Sequence, residues 1–399
     1  MKIKCAPLDL KFKTGTPAEL DVVLYRHADK PNRGAAGANI REALNRLKLK
    51  AAPRAWDLLS IALAVVAADT AARRNESPDG WTREIDLQIA IGDSAFWTSQ
   101  AGLLTDALRF LTTDIWRLTF LDSGIQPVPP KRPNLPSEDC VALLSGGLDS
   151  LVGAIDLTAR DGKKPYLVSQ VSVGDKQKQI YFASKIAGGL FHLQLNHVVS
   201  CPGTNELSQR ARSMIFLAYG VLLATTLLRY HEGKPVTLYV CENGFISINP
   251  ALTPGRIGSL STRTTHPVFI GLIQQLLTAA GLQVRMENPY QFMTKGEMLS
   301  RCADQAFLGK HAHLTTSCGR YARNGFKHCG RCVPCIIRRS AFHSWKKPDK
   351  TVYVYKDLSR NDENHAGYDD VRAPYDRALG WIKRWGRPAM MAPAANTSG

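Results

Sequence analysis

Residues 141–150 read VALLSGGLDS and run directly into the apolar LVGAI. Four apolar residues suit a short buried strand, Ser-Gly-Gly makes a tight turn, and Asp149 and Ser150 stand where a helix begins. A strand that feeds a glycine loop at a helix start leaves backbone N–H groups unpaired and aimed at one point, which is a ready-made anion site. No Gly-Lys-Ser/Thr follows, so the lysine with which a Walker loop grips the outer phosphates is missing.

The chain around this loop alternates. From Glu138 the pattern predicts a strand at 140–144, a helix at 150–160, a strand at 166–173, a helix at 177–188 and a strand within FHLQLNHVVS. An apolar helix at 212–230, a strand at 236–243, a helix at 267–280 and a strand in QVRMENP follow. Strands alternating with helices mean an α/β fold with a doubly wound parallel sheet. Ligands bind such sheets outside the carboxyl ends of the strands, where the loop falls.

Residues 1–126 are expected to form a separate α+β domain. MKIKCAPLDLKFK, AELDVVLYR and TREIDLQIAI read as strands, a long apolar helix opens at 54–56, and a second helix covers Phe96 to Phe110. No catalytic constellation stands out there, which suits a scaffold or partner-docking module; Trp56, Trp81, Trp97 and Trp116 read as core or interface anchors. Residues 127–137 hold PVPPKRPNLP, a stiff extended linker. Residues 138–345 form the nucleotide-binding domain. Residues 346–399 are a C-terminal extension, with a strand at 351–358, an amphipathic stretch and a tail disordered by composition.

The start of the chain has no apolar secretory core, and the uncharged run Ser213–Leu228 is too short for a comfortable membrane span, so it reads as a buried helix of a cytoplasmic protein. The 51 basic against 34 acidic residues give a net charge of +17, which suits a nucleotide-like substrate, an acidic protein or a nucleic acid. The basic residues are spread along the chain, so nucleic acid is possible but not favoured. Of nine cysteines, four crowd into Cys318, Cys329, Cys332 and Cys335. In a cytoplasmic protein that clustering points to metal rather than disulfides. Four thiolates suit a closed tetrahedral Zn2+ site; an iron–sulfur cluster and a pair of cysteines for sulfur transfer are the alternatives. His328, adjacent to Cys329, is left outside the ligand set.

The SGGLDS loop resembles the PP-loop of ATP pyrophosphatases. Together with the cysteine segment it resembles the 7-cyano-7-deazaguanine synthases, the QueC-like PP-loop enzymes, over roughly residues 139–345. Thr316-Ser317-Cys318, CGRC, Cys335-Ile-Ile-Arg338 and Ala341-Phe342 are similar to that family's zinc segment; Met293-Thr-Lys295-Gly-Glu297 is similar to its Lys-x-Glu helix start, and Arg212-Ser213 to its Arg-Asn. The long extension before the loop resembles the QueC-like proteins of Qat-type bacterial anti-phage operons, through DGWTR at 79–83 and the RAWDLLSIALAVVAADTAARR helix.

The resemblance implies a C–N bond-forming ligase that uses ATP, Mg2+ and Zn2+. AMP is transferred to the carboxylate of 7-carboxy-7-deazaguanine or a close analogue, pyrophosphate leaves, and a nitrogen nucleophile displaces AMP. Ammonia gives an amide and then a nitrile; a protein amine gives a conjugate. Ser145, Gly146, Gly147, Leu148, Asp149 and Ser150 would hold the phosphates, with Asp149 a helix cap or Mg2+ ligand and Lys295 and Arg212 neutralising charge. Two departures stand out: a whole domain precedes the loop, and GSLSTRTTHP at 258–267 replaces the family's YPDCR-like substrate segment, keeping Arg263 but no aspartate. Glu242 is then a candidate to accept hydrogen bonds from the N1–H and 2-amino edge of the base. The implied partner is a protein of the same operon docking on the N-terminal domain. The rival readings are a PP-loop tRNA sulfurtransferase and a non-catalytic nucleotide-binding subunit.

Overall fold

The structure, a computed structural model, describes residues 1–8, 19–250, 263–359 and 371. Ten strands form two five-stranded sheets. The first contains β1 (Lys2–Ala6), β2 (Leu20–Leu24), β3 (Gly34–Ala36), β4 (Glu84–Ala90) and β5 (Ile115–Leu121), in the order β3-β2-β1-β4-β5. The second contains β6 (Cys140–Leu143), β7 (Pro165–Gln170), β8 (His192–Leu195), β9 (Val236–Tyr239) and β10 (Val284–Glu287), in the order β10-β9-β6-β7-β8. Every strand pair in both is parallel. Ranked by position in the chain, both sheets therefore read third, second, first, fourth, fifth. The first 121 residues mix strands and helices as expected, but they build a second doubly wound sheet rather than a segregated α+β arrangement.

One hydrophobic core runs through both halves. The Pro53–Ala71 helix packs on the first sheet and the Arg212–Ala224 helix on the second, and the two helices pack on each other. Their composition explains this placement. A helix apolar all round has to be buried all round, and the Pro53–Ala71 helix buries residues from Ala55 to Thr70 without a break. Leu58, Leu59, Ile61, Leu63, Val65 and Val66 are 0–2% exposed; at about 1.5–3 kcal/mol each, their burial contributes on the order of 10 kcal/mol. The Ala101–Thr112 helix likewise meets Pro267–Ala279 across the junction. The linker carries no helix or strand at 127–136, yet its C-terminal end is tied to both halves: Asn134 N–H donates to the Lys48 carbonyl and Leu228 N–H to the Pro136 carbonyl.

Several expected elements are cut short for local reasons. The helix expected at 96–110 is two, Ser94–Ser99 and Ala101–Thr112, with a break at Gln100. The apolar helix ends at Ala224 instead of 230, because the Thr225 and Thr226 hydroxyls bond the Leu222 and Leu223 carbonyls; a separate turn, Leu228–His231, follows. The expected strand at 351–358 is reduced to a single bridge, Tyr353 to His328. Trp56, Trp97 and Trp116 are buried, whereas Trp81 is exposed and lies beside the Arg210 and Arg74 guanidinium groups. The amphipathic stretch and tail fall largely outside the described residues, as do residues 258–262 of the altered segment. Among the described residues no helix is long and apolar enough to cross a membrane.

Candidate active site

β6 delivers the loop at the carboxyl edge of the second sheet, where the chain switches direction between β6 and β9. Gly146 takes φ +87°, a conformation costly for a residue with a Cβ. The turn is held internally: Ser145 N–H donates to Ser150 Oγ (3.2 Å), Gly147 N–H donates to Ser145 Oγ (3.1 Å), and the two hydroxyls lie 3.0 Å apart. Gly147 caps the helix Leu148–Ala159 without a side-chain bond. Leu148, Asp149 and Ser150 carry the first-turn N–H groups, which have no intrahelical acceptor, and no other acceptor among the described residues.

The cysteine segment docks on this loop. Thr316 N–H donates to the Gly146 carbonyl (3.0 Å), and Gly147 and Thr316 form a parallel bridge. Thr316 Oγ1 donates to Asp175 Oδ1 (2.6 Å) and accepts from Lys178 Nζ (2.6 Å), which also reaches Tyr321 Oη (2.7 Å). Asp175 and Lys178 thus clamp the loop to the segment, and neither stood out in the sequence. Charged residues at a helix start look like any solvated surface; only the tertiary contact marks them.

Asp149 does not cap its helix. Asn243 donates to its Oδ2 through the backbone N–H (3.1 Å) and through Nδ2 (2.6 Å), and the Lys295 ammonium pairs with Oδ1. Lys295 is delivered by a capping box: Thr294 Oγ1 accepts from Glu297 N–H (3.2 Å) while Thr294 N–H donates to Glu297 Oε2 (2.8 Å), which starts the helix Lys295–Arg301 one residue later. Ser145, Gly147, Leu148, Asp149, Ser150, Glu242 and Lys295 line one cavity of about 320 Å³. Lys295 also lines an apolar cavity of about 440 Å³ beside the Val333–Trp345 helix.

Two expected site residues lie elsewhere. The Arg263 guanidinium stacks 4.7 Å from the Phe110 ring and donates to the Phe110 carbonyl (2.8 Å), so the first half of the chain holds it. Arg212 is exposed at its helix start and does not line the loop cavity; its charge, behind burial, helps hold the His197 imidazole down at about 4. Glu242 does line the cavity, half-buried, with Oε2 accepting from the Thr265 hydroxyl. Burial pushes its carboxyl up to about 7, opposed by the Thr265 bond and supported by the Asp149 charge.

Cys318, Cys329, Cys332 and Cys335 converge, all buried, with their Sγ atoms within 4.8 Å of one another. The closest pairs, Cys318–Cys332 and Cys329–Cys335, are 3.9 Å apart. A tetrahedral ion with metal–sulfur bonds of about 2.3 Å places its sulfurs about 3.8 Å apart, and a disulfide needs about 2.05 Å. The set therefore fits one tetrahedral ion with no open position. Backbone N–H groups of Arg320 and Cys329 point at Cys318 Sγ and that of Cys332 at Cys329 Sγ, each at 3.3 Å, which suits thiolates. His328 stays outside: its Nε2 accepts from Ser317 N–H (3.1 Å), and burial holds the ring down at about 4, hence neutral. Arg338 locks the segment from below, donating to Thr315, Ser317, Thr351 and the Ala312 carbonyl.

Residues 264–346 match the family described as "Queuosine biosynthesis protein QueC". A 7-cyano-7-deazaguanine synthase of Anaeromyxobacter sp. is 26% identical over 243 residues, covering 55% of this chain and 98% of that protein. One of Agrobacterium fabrum is 25% identical over 240 residues (55% and 93%), and one of Paracoccus denitrificans is 35% identical over 100 residues (24% and 40%). No solved structure matches. The four cysteines fall within the matched residues 264–346, and the chain is distantly similar to the 7-cyano-7-deazaguanine synthases.

Proposed function

We propose that the chain adenylates the carboxylate of 7-carboxy-7-deazaguanine or a close analogue with ATP, releases pyrophosphate, and passes the activated acyl group to a nitrogen nucleophile. One observation carries this reading: a glycine-loop anion site is built directly onto a four-cysteine segment, through Gly147 and Thr316, the latter within the residues that match the QueC family. The N–H groups of the Leu148–Ser150 turn and the Ser145 and Ser150 hydroxyls would hold the phosphates, and a preorganised donor set of this kind stabilises charge as pyrophosphate departs. Lys295 supplies the fixed positive charge. A carboxylate resists nucleophiles; bonding it to AMP provides a leaving group, which is why the two half-reactions share one cavity.

Zn2+ fits the four cysteines as a structural ion that fixes Thr316 against the loop. Mg2+ would enter with the nucleotide, since it is usually held by one or two carboxylates plus phosphates; Asp149, already paired with Lys295 and hydrogen-bonded by Asn243, does not build a separate site. The apolar cavity beside Lys295 gives a second substrate room that ammonia alone does not need. This favours a bulky planar base or a protein amine there, the latter supplied by a partner of an anti-phage operon docking on the first half.

A sulfurtransferase needs a reactive thiol at the loop. Cys241 lines the loop cavity, but burial pushes its thiol well above the ordinary range, and the clustered cysteines face one another. The reading is tested by incubating the protein with ATP, 7-carboxy-7-deazaguanine and ammonium. AMP and pyrophosphate released only with the base support it; ADP as product contradicts it.

A further inference from the structure

We propose that Glu242 is the proton acceptor of the second half-reaction, taking the proton that a protonated nitrogen nucleophile must lose before it can attack the activated carbonyl. The inference rests on the adenylation reading above. In the loop cavity the charged groups Asp149 and Lys295 neutralise each other, and Asn243 fills the other oxygen of Asp149. Glu242 is the other carboxylate lining that cavity, and no ion pair engages it among the described residues.

Its frame is rigid. The Glu242 N–H donates to Asn288 Oδ1 (3.3 Å), its carbonyl accepts from Asn288 Nδ2 (2.8 Å), and Thr265 holds Oε2. Thr265 already engages Oε2, and Oε1 alone has no hydrogen-bond partner among the described residues. A carboxylate oxygen left open in the cavity is placed to accept a proton. The surrounding groups keep this carboxyl near neutrality: burial and Asp149 favour the protonated form, Thr265 and Lys295 the ionised one. A general base works best when its pKa lies near the working pH.

The balance is simple. The ammonium ion gives one proton to Glu242 Oε1, and the freed lone pair attacks the carbonyl carbon of the acyl adenylate, so that a C–N bond forms. The second proton that nitrogen sheds goes to the departing AMP phosphate. The C–O bond to AMP then breaks, AMP departs with the electron pair, and Glu242 returns its proton to water. A protein amine needs such a base more than most, since an α-amino group titrates near about 8 and a lysine near about 10.4.

The experiment separates the half-reactions. Pyrophosphate release and amide formation are followed with ATP, 7-carboxy-7-deazaguanine and either ammonium or hydroxylamine, an amine already unprotonated at neutral pH. In Glu242→Gln, transfer to ammonium is expected to fall about 100-fold or more, with adenylation falling far less. The wild-type rise of transfer rate with pH should flatten, hydroxylamine should recover most of the loss, and Glu242→Asp should recover part. Equal loss of both half-reactions, or of transfer to both amines, would assign Glu242 to substrate or Mg2+ binding and overturn the proposal. Unchanged transfer to ammonium would overturn it too. Wild-type protein that releases no pyrophosphate in response to the base would instead overturn the adenylation reading and this inference with it.

Discussion

The two sheets repeat one strand order, and both present a crevice at the carboxyl ends of their central strands. They fill it differently. In the first sheet the chain leaves β4 through Gly92 and Asp93, whose N–H groups donate to the two oxygens of Asp57 (2.7 and 3.1 Å). Trp97 Nε1 (3.2 Å) and Gln126 Nε2 (2.8 Å) complete the set. The crevice there carries its own anion, on the buried Pro53–Ala71 helix. In the second sheet the loop after β6 keeps its first-turn N–H groups open, and the nearest carboxylate, Asp149, is turned away to Asn243 and Lys295. Topology makes the crevice; loop chemistry decides whether it is a structural plug or a ligand site.

Swapping the two carboxylates for alanine breaks the comparison most directly. Asp149→Ala should lower AMP formation on the order of 10³-fold, because Lys295 loses its partner in the cavity. Asp57→Ala should leave kcat intact well below the melting temperature but lower stability by about 2–4 kcal/mol, since four donors lose their acceptor. Denaturant melts and AMP release on both variants check this; an inactive but fully stable Asp57→Ala protein would refute the division of labour.

Next in size is the metal. Cys329→Ser should release the bound ion and loosen Thr316 from Gly146, lowering activity about 100-fold. Limited proteolysis should then cut within 316–335 while the first sheet stays protected; metal analysis supplies the stoichiometry. Smaller again are matched glycine substitutions. Gly146→Ala (φ +87°) and Gly37→Ala (φ +78°) both place a Cβ in left-handed backbone, at about 1–2 kcal/mol each, and the Cβ at position 37 also comes within 2.7 Å of Leu63 Cδ1, so that variant loses more stability. Only the first should also weaken ATP binding, by roughly tenfold, as titration calorimetry would show.

The smallest effect concerns Glu242. Its folded carboxyl titrates near 7, above the ordinary value of 4.5. The native state therefore binds more protons between those values, and the associated stability is complete below about pH 4.5 and lost as pH rises through about 7. For this partly buried group the effect amounts to about 1 kcal/mol after solvent screening. Glu242→Gln should remove that part of the pH dependence of melting.

What the sequence disclosed follows the same division. Ser145–Ser150 and the cysteine spacing are legible because glycines, hydroxyls and thiols at fixed short separations have few other uses. The alternation from Glu138 onward revealed the second sheet. The first sheet was obscured because β3 is three residues long and β5 follows a helix without a glycine or proline boundary. Arg263 and Arg212 were misplaced because a long side chain goes where tertiary contacts take it, and Phe110, which holds Arg263, lies in the other half. Asn243 was passed over beside Glu242, since an asparagine at a strand end is usually a turn residue.

The central claim is that the open crevice forms an acyl adenylate before any amine arrives. Exchange of labelled pyrophosphate into ATP measures that step alone. The account predicts exchange that requires 7-carboxy-7-deazaguanine, proceeds without ammonium and disappears in Asp149→Ala. Exchange that ignores the base, or none in its presence, would contradict it.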